Sequence, residues 1–302
     1  MINAVDLFCG CGGLSLGFME AGINIVAAYE KWDKALECYS QNFSHPIIDF
    51  DLSNVTEAVK SISSFCPDMI IGGPPCQDFS HAGKRIEAGR ASLTVAFSEI
   101  IKRIKPIAFV MENVDRALKS NSYAIAKNNF IECGYGITEI VLDASFCGVP
   151  QKRKRLFCVG VMGKQDNGLL PILQSHMSNK PMTVRDYLGE SLSFEFYYRH
   201  PRNYNRRGIF SVDEPAPTIR GVNRPLPKGY PAHPNDACPL SDGIRALTTE
   251  ERSWIQTFPR DFKWKGSKTD IEQMIGNAVP VKLAEFVAKA VLEYLAKENI
   301  NE

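Results

Sequence analysis

The sequence predicts an α/β fold in which a mostly parallel sheet, with helices on both faces, is joined to a smaller domain of irregular structure. Short apolar strands alternate with helical stretches through about the first 160 residues, a pattern typical of parallel sheets. A glycine-rich turn directly follows the first of these strands. The alternation stops between about Gly163 and Ala246, which predicts a separate segment with a different role.

Length and composition indicate a globular protein. The chain has 302 residues, enough for one large domain or for a large domain and a small one. Hydrophobic residues make up 44% and charged residues 23%, which is ordinary for folded domains. The start, Met1 to Asp6, lacks the basic and apolar segments of a signal peptide, and no run approaches the ~18 apolar residues of a membrane span. We therefore expect a cytoplasmic protein.

The net charge of +1, from 35 basic and 34 acidic residues, neither requires nor excludes a nucleic-acid partner. A DNA enzyme with this charge must gather its positive residues on one face. Nine cysteines in a chain without an export signal argue against a disulfide framework. Cys9 and Cys11 form a Cys-x-Cys pair, but no second pair or nearby histidine completes a zinc site, so we predict no metal.

The first predicted unit is a nucleotide site. Ala4–Phe8 reads as a strand, a glycine-rich turn and a helix follow, and Ile23–Tyr29 reads as the second strand. Glu30 ends that strand, twenty positions after Gly10, where a carboxylate accepts hydrogen bonds from ribose hydroxyls. The pattern suits a nicotinamide dehydrogenase or an adenosylmethionine enzyme. Because the turn carries no Lys or Arg for a phosphate, it favours an adenosine ligand without pyrophosphate.

Two further residues suit an adenosine pocket. Trp32 offers a flat face for adenine. Asp51 follows the predicted third strand, Pro46–Phe50, where its carboxylate can accept a hydrogen bond from the adenine amino group. Each residue, taken alone, also fits a surface or packing role.

A rigid turn presents Cys76. The predicted fourth strand, Pro67–Ile71, runs directly into Gly72-Gly73-Pro74-Pro75-Cys76-Gln77. Ligands of open α/β sheets bind beyond the carboxyl ends of the strands, and two prolines stiffen the backbone there. Cys76 is therefore a candidate nucleophile, with a structural cysteine as the alternative.

A carboxyl group and two arginines are predicted near the same crevice. The strand Pro106–Met111 ends in Glu112-Asn113-Val114. Between two later strands, Ile137–Leu142 and Leu156–Val161, lies a basic run that contains Arg153 and Arg155. In an extended segment these alternate arginines point the same way, either into solvent or onto an anion or carbonyl group.

Thiol, carboxyl and arginine together suit the methylation of carbon 5 of cytosine. A thiolate that adds to carbon 6 makes carbon 5 nucleophilic, and a carboxylic acid that protonates N3 assists that addition. An arginine can hold the ring's carbonyl oxygen. Duplex DNA hides this carbon, so the base has to be flipped out of the stack.

With these residues assembled, the sequence resembles the C5-cytosine DNA methyltransferase family along nearly its whole length. The matching motifs stand in the family's order, and they are Asp6 to Gly13, Glu30-Lys31-Trp32, Asp51-Leu52, Pro74-Pro75-Cys76-Gln77, Glu112-Asn113-Val114, Gln151 to Arg155, Leu247 to Pro259, and Ile275 to Pro280. The sequence departs from the family pattern in three places, which are the segment Arg90 to Thr94 after the nucleophile loop, Glu250 in the late motif, and Cys9 and Cys11 in the cofactor loop.

The resemblance implies a Rossmann-like S-adenosylmethionine-dependent methyltransferase domain formed by residues 1–163 and 272–302. Residues 164–271 are expected to form a smaller target-recognition domain across a DNA-binding cleft. The last helix, Val281–Lys297, is expected to pack back on the catalytic domain, and the loop Asp78–Ala91 to close over the flipped base.

The site residues that follow are assigned by motif. Catalysis is assigned to Cys76 as nucleophile, Glu112 as the acid at N3, and Arg153 and Arg155. Binding of S-adenosylmethionine, which leaves as S-adenosylhomocysteine, is assigned to Phe8, Gly10, Gly12, Gly13, Leu14, Glu30, Lys31, Trp32, Asp51, Leu52, Pro74, Leu93, Asn277, Ala278 and Val279.

Positive charge is concentrated in the recognition segment, although the net charge of the whole chain is close to zero. From Tyr197 to Tyr230, seven basic residues are opposed only by Asp213 and Glu214, which leaves a net charge of +5. Aromatic residues are interleaved with them, namely Tyr197, Tyr198, Tyr204, Phe210 and Tyr230. DNA binding, through phosphates or base edges, is assigned to Gln77, Ser80, His81, Arg199, Arg202, Arg206, Arg207, Thr218, Arg220 and Arg224. A solvated loop is the alternative.

The predicted activity is sequence-specific DNA (cytosine-5) methylation, on double-stranded DNA, by a cytoplasmic, nucleoid-associated monomer. A restriction endonuclease of the same system is a possible companion without direct contact. One alternative is a methyltransferase of the same family that acts on cytosine in tRNA. A second, an NAD-dependent oxidoreductase, leaves the Pro-Cys-Gln and Glu-Asn-Val motifs unexplained, and a third is a DNA-binding protein without catalysis.

Overall fold

The computed structural model describes residues 1–75, 92–189, 192–203 and 205–300, the side chains of 298–300 excepted. Its strands are β1 (Asn3–Leu7), β2 (Asn24–Glu30), β3 (Ile47–Asp49), β4 (Met69–Gly72), β5 (Ala108–Val114), β6 (Tyr135–Asp143), β7 (Gln151–Lys152), β8 (Lys154–Met162), β9 (Phe196–Tyr198), β10 (Ile209–Ser211) and β11 (Ala216–Pro217). Its α-helices are α1 (Gly13–Glu20), α2 (Asp33–Tyr39), α3 (Val55–Ser63), α4 (Leu93–Ile104), α5 (Asn121–Glu132), α6 (Leu170–His176), α7 (Val184–Leu188), α8 (Thr249–Ile255), α9 (Lys268–Asn277) and α10 (Val281–Ile300).

Seven strands form one sheet in the order β3-β2-β1-β4-β5-β8-β6. Strands β3, β2, β1, β4 and β5 are parallel, whereas β8 runs antiparallel to both of its neighbours, β5 and β6. The predicted α/β fold with a mostly parallel sheet is therefore confirmed. Strand β5 runs farther than predicted, because Glu112, Asn113 and Val114 are its last three residues and not the turn after it.

Helices cover both faces of the sheet because its strands alternate apolar residues between two cores. One core joins strand residues such as Ala4 and Val110 to α1, α6 and α10. The other joins residues such as Val5 and Phe109 to α3, α4 and α5. Helix α10 packs closely on α1, as expected for the last helix: a Cβ placed on Gly17 would lie 2.4 Å from the carbonyl oxygen of Val281.

A smaller core lies between the short elements that follow β8. It joins Val184 of α7, Tyr197 of β9, Phe210 of β10 and Ile255 of α8. The interleaved aromatic residues that the structure describes, Tyr197, Tyr198, Phe210 and Tyr230, are buried, so they stabilise this domain and do not present ring faces to a ligand; Tyr204 lies outside the described residues.

The predicted domain boundaries, 1–163, 164–271 and 272–302, stay a prediction. Helix α6, inside the predicted small domain, packs on the core of the large one through Leu169, Ile172 and Leu173. Helix α9 contacts the small core through Ile275 and lies at the junction of the two. Of the helices in the described ranges, none has an apolar stretch long enough to cross a bilayer.

Candidate active site

A cavity of about 540 Å³ opens where four parallel strands end, β1, β2, β4 and β5. This is the edge at which open α/β sheets bind ligands, because the loops that leave the strands diverge there. Ten of the predicted cofactor residues line it: Phe8, Gly10, Gly13, Leu14, Glu30, Trp32, Pro74, Asn277, Ala278 and Val279. Glu112 and Arg155 line it as well, so the structure brings two of the four predicted catalytic residues to the predicted cofactor residues.

The glycine-rich turn forms one wall because its backbone adopts conformations that side chains oppose. Gly10 and Gly12 have φ values of 56° and 97°. Gly13 allows a close approach, since a Cβ there would lie 2.3 Å from the carbonyl oxygen of Val279. Phe8 itself has a φ of 61°, which is costly for a residue with a side chain and marks the start of the turn as strained.

Glu30 fastens this turn to the end of β2. One carboxylate oxygen accepts a hydrogen bond of 2.8 Å from the backbone N–H of Gly10. The other accepts from the N–H groups of Lys31 and Trp32, at 2.8 and 2.9 Å. The carboxylate therefore lies at the cavity wall in a fixed orientation.

The remaining predicted cofactor residues do not line the described part of the cavity, and they are Gly12, Lys31, Asp51, Leu52 and Leu93. Asp51 is exposed and forms an ion pair with Lys31, and the hydrogen bond from Lys31 lowers the pKa of its carboxyl to about 2. Leu52 is buried in the core beneath the sheet, and Leu93 begins α4. Contact of these side chains with a cofactor stays a prediction.

Glu112 and Arg155 form a nearly buried ion pair. The Nε of Arg155 lies 2.9 Å from Oε1 of Glu112, and their side chains are 16% and 11% exposed. Burial raises the pKa of Glu112, while the positive charges of Arg155 and Arg153 oppose that rise. The net effect is a carboxyl group that takes up a proton more readily than an ordinary glutamate.

The end of β4 lies against this acid. A Cβ placed on Gly73 would be 3.2 Å from Oε2 of Glu112. The side-chain amide of Asn113 donates a hydrogen bond of 3.1 Å to the carbonyl oxygen of Pro74. The backbone that leads to Cys76 is therefore held beside the carboxyl. Cys76 itself lies outside the described residues, as do Gln77, Ser80 and His81.

Arg153 has different partners from Arg155. It is only 1% exposed, and its guanidinium donates to the carbonyl oxygens of Ile219, Gly276 and Ala278 at 2.9 to 3.0 Å. These contacts join the recognition segment to the last motif of the catalytic domain. They do not place the guanidinium in the described lining of the cavity, where the sequence had paired it with Arg155.

The seven predicted DNA-binding residues that the structure describes fall into three groups. Arg202 and Arg206 are exposed. Arg199, Arg220 and Arg224 line a second, much smaller cavity in the recognition segment. Arg207 and Thr218 are engaged within the protein.

Both engaged residues have partners inside the protein, and their contact with DNA stays a prediction. Arg207 forms an ion pair with Glu214 and lies 4.3 Å from the ring centre of Phe210. The hydroxyl of Thr218 donates to the carbonyl oxygen of Lys152 at 2.7 Å.

Sequence reasoning did not assign a site role to several residues that line the large cavity, including Cys9, Cys11, Gly73, Asn113, Val114, Arg116, Met274 and Gly276. Most of them stand next to an assigned motif residue, and that adjacency was the available signal. Arg116 differs from the other missed residues, because it adds a positive charge to the cavity. It belongs to the 3-10 helix Asp115–Lys119 and stands four residues after Glu112.

Comparisons with known proteins agree with this geometry. The family model described as C-5 cytosine-specific DNA methylase matches residues 2–293. The Type II methyltransferase M.HindV of Haemophilus influenzae is 59% identical over 295 residues, which cover 97% of each chain. The Type II methyltransferase M.HgiDI of Herpetosiphon aurantiacus is 53% identical over 302 residues, covering 100% of this chain and 97% of that one.

Solved structures share the fold. A putative DNA modification methyltransferase encoded within an Escherichia coli prophage superposes with a TM-score of 0.72 at 23% identity, covering 98% of this chain and 100% of that one. The Dnmt2 methyltransferase of S. pombe also gives a TM-score of 0.72, at 17% identity, with 97% and 99% covered. The family match over nearly the whole chain excludes the NAD-dependent oxidoreductase as an alternative. The chain belongs to the C-5 cytosine-specific DNA methylase family and is a DNA cytosine-5 methyltransferase.

Proposed function

We propose that this enzyme methylates a flipped cytosine in duplex DNA, with Cys76 as nucleophile, Glu112 as acid and S-adenosylmethionine as methyl donor. One observation carries the proposal. The Glu112–Arg155 ion pair, the backbone that leads to Cys76 and the glycine-rich turn meet at a single cavity at the sheet edge.

The described residues fit an adenosine ligand. A cavity of about 540 Å³ falls within the range of about 300–1,000 Å³ typical of small-molecule sites. The Glu30 carboxylate can hold ribose hydroxyls and the Trp32 indole can cover adenine, while residues of the glycine-rich turn and Asn277 to Val279 form other parts of the wall. When bound, S-adenosylmethionine supplies the methyl group that carbon 5 of the cytosine receives.

The thiol chemistry is assigned to Cys76 by position and by contrast. Cys9 and Cys11 also line the cavity, but burial raises the pKa of both thiols well above the ordinary value. Such thiols stay protonated and react poorly. Cys76 directly follows Pro75, which lines the cavity, so its sulfur is the one expected at the base.

Bonds and protons balance across the reaction. The Cys76 thiolate forms a bond to carbon 6, the C5=C6 electron pair moves into the C4–C5 bond, and the C4=N3 pair moves onto N3. Glu112 gives its proton to N3, which leaves an enamine that is nucleophilic at carbon 5. Arg155 holds Glu112 and can donate to the ring's carbonyl oxygen. When carbon 5 takes the methyl group, the S–CH3 bond of the donor would break and S-adenosylhomocysteine would leave, while Glu112 recovers its proton from N3. Water then accepts the carbon-5 proton, and cleavage of the S–C6 bond restores the aromatic ring and frees the Cys76 thiolate.

Arg153 is assigned a positioning role, because its guanidinium is occupied by three carbonyl oxygens inside the protein. The relatives named Type II methyltransferases support a place in a restriction-modification system, with a cognate endonuclease as companion. Action on DNA fits the cytoplasm as the compartment. The name of the matching family favours DNA over tRNA as the substrate.

The decisive experiment uses duplex DNA that carries 5-fluorocytosine, together with S-adenosylmethionine. Fluorine cannot leave carbon 5 as a proton does, so the wild type is expected to form a stable covalent complex that survives denaturing electrophoresis. Cys76→Ser should form none, while Cys9→Ser, the matched control inside the same cavity, should still form it. An adduct with Cys76→Ser, or its loss with Cys9→Ser alone, contradicts the assignment. A parallel methylation assay on duplex DNA and on tRNA separates the two substrates.

A further inference from the structure

The recognition segment contains a cluster of arginines with too little opposing charge. A cavity of about 20 Å³, which we call the arginine pocket, is lined by Arg199, His200, Arg220, Arg224 and Arg252. Arg199 and His200 follow β9, Arg220 and Arg224 follow β11, and Arg252 belongs to α8. The pocket is thus assembled from three separate parts of the chain.

Internal hydrogen bonds hold two of these arginines in place. The NH2 group of Arg199 donates to the carbonyl oxygen of Thr218 at 2.9 Å. The NH2 group of Arg220 donates to the carbonyl oxygen of His200 at 2.6 Å. The two bonds run in opposite directions between the same two segments, so the guanidinium groups are fixed in position and not free to move apart.

Among the described residues, the one carboxylate paired with the pocket belongs to Glu272. It forms a buried ion pair with Arg252 and also accepts hydrogen bonds from Asn223 and Thr249. In the part of the chain that the structure describes, no carboxylate lies within ion-pair distance of Arg199, Arg220 or Arg224. At least three positive charges therefore remain uncompensated.

This arrangement is costly to the folded protein. Burial, followed by repulsion from Arg220, Arg202 and Arg252, lowers the pKa of Arg199 to about 10. Burial and the charges of Arg202 and Arg224 also lower the pKa of Arg220. Fixed, half-buried cations that repel one another indicate that the counter-charge comes from a ligand.

The size of the pocket restricts which chemical group of a ligand it can hold. A volume of about 20 Å³ holds one oxygen atom but not a base or a sugar. Reading a guanine edge needs one arginine with two free parallel donors, whereas Arg199 and Arg220 each use a terminal nitrogen inside the protein. A phosphate oxygen, by contrast, accepts from several cations at once.

We infer that the arginine pocket is a seat for one backbone phosphate of the DNA substrate, and that it sets the register of the duplex and does not read its sequence. The inference rests on the proposed function, because it takes duplex DNA as the ligand. Under this inference Arg199, Arg220 and Arg224 bind the DNA backbone, and other residues select the target sequence.

The test compares salt dependence with sequence preference. A randomised duplex library, methylated by the wild type and read by bisulfite sequencing, first identifies the target site. Binding of cognate and scrambled duplexes is then measured by fluorescence anisotropy between about 50 and 200 mM salt. Arg220→Met and Arg224→Met should each reduce the slope of log affinity against log salt by about 1, and should weaken both duplexes by the same factor.

Two further variants make the result specific. Arg220→Lys keeps the charge and should keep most of the slope. Arg103→Met removes an equal charge from α4, where the guanidinium contacts Thr56, and should change neither slope nor site. Because Arg224 is exposed, Arg224→Met keeps the test valid if Arg220→Met fails to fold.

Three outcomes overturn the inference. Relaxed preference at one base position in either Met variant means base readout. An unchanged slope in both means that no phosphate is held there. A third outcome has two parts: inorganic phosphate, at constant ionic strength, protects the wild type from thermal unfolding, and the variants bind the duplexes as the wild type does. That outcome means that the pocket binds free anions. A wild type that methylates no cytosine contradicts the proposed function, whereas methylation with unchanged slopes contradicts only the phosphate seat.

Discussion

The side-chain amide of Asn113 donates a hydrogen bond to the carbonyl oxygen of Pro74, and this bond ties the last residues of β5 to the turn that carries Cys76. Both groups are buried, and Glu112 is the immediate neighbour of Asn113. The bond therefore fixes the spacing between the end of β5 and Pro74, two residues before the proposed nucleophile in the sequence.

The first prediction concerns this bond. Asn113→Ala should lower kcat about tenfold and change the affinity for S-adenosylmethionine little, because one hydrogen bond of about 1 kcal/mol and the spacing it fixes are lost. Single-turnover methylation and calorimetric binding measure the two effects. Asn129→Ala is the matched control, since it removes another buried asparagine whose amide contacts Ser98 and Glu99. Equal losses of kcat in both variants point to general destabilisation.

The second prediction concerns pH. Because the reaction uses the protonated form of Glu112, kcat/KM should decline as the pH rises through the pKa of this carboxyl. Arg155 is the largest influence that lowers this pKa against burial, so Arg155→Met should move the declining limb to higher pH, at a lower maximal rate. Arg116→Met removes a different arginine of the cavity and should leave the limb in place. A limb that stays fixed in Arg155→Met assigns it to another group.

The third prediction concerns a buried carboxyl beneath the glycine-rich turn. Burial raises the pKa of Asp6 from 3.8 to about 8, although Ser15 donates to it. The folded chain then binds a proton that the unfolded chain has released, so the free energy of unfolding falls as the pH rises from about 4 to 8, by up to about 1.4 kcal/mol per pH unit. Above about pH 8 this loss is complete.

Asp6→Asn keeps a neutral group there and should flatten the fall when urea unfolding is followed between about pH 5 and 8. Asp51→Asn is the control, because the pKa of that exposed carboxyl is about 2 and it titrates outside this window. The same slope in Asp6→Asn and wild type shows that Asp6 is ionised throughout.

The fourth prediction concerns Arg153. Arg153→Met leaves the buried carbonyl oxygens of Ile219 and Gly276 without this donor, while Ala278 keeps its bond from Gln256, and should lower the free energy of unfolding by about 3 kcal/mol. The KM for S-adenosylmethionine should rise too, since Gly276 and Ala278 line the cavity. Lys152→Met, at the exposed neighbouring position, should change neither quantity. A stable Arg153→Met protein with an ordinary KM removes the positioning role.

Local patterns predicted the parts of the site that depend on local chain geometry. Glu30 and the glycine-rich turn could be placed because a strand, a tight turn and a helix follow one another in the sequence. The roles of Arg153 and Arg207 could not, because their partners lie far along the chain and basic runs look alike whether they face solvent or carbonyl oxygens. The sequence likewise left the role of the aromatic residues of the recognition segment open, since burial depends on partners that local sequence does not specify.

The reversed direction of β8 determines where in the sequence the proposed catalytic residues stand. In a parallel strand only the residues at its end reach the ligand edge, but β8 pairs Arg155 near its start with Val114, the last residue of β5. Arginine and acid thus come from opposite ends of adjacent strands, with the whole of α5 and β6 between them in sequence. Because β8 runs antiparallel to its neighbours, the residues at its start, and not those at its end, line the active site. Insertions after β8 can then lengthen or replace the recognition segment without moving the arginine from the acid it holds.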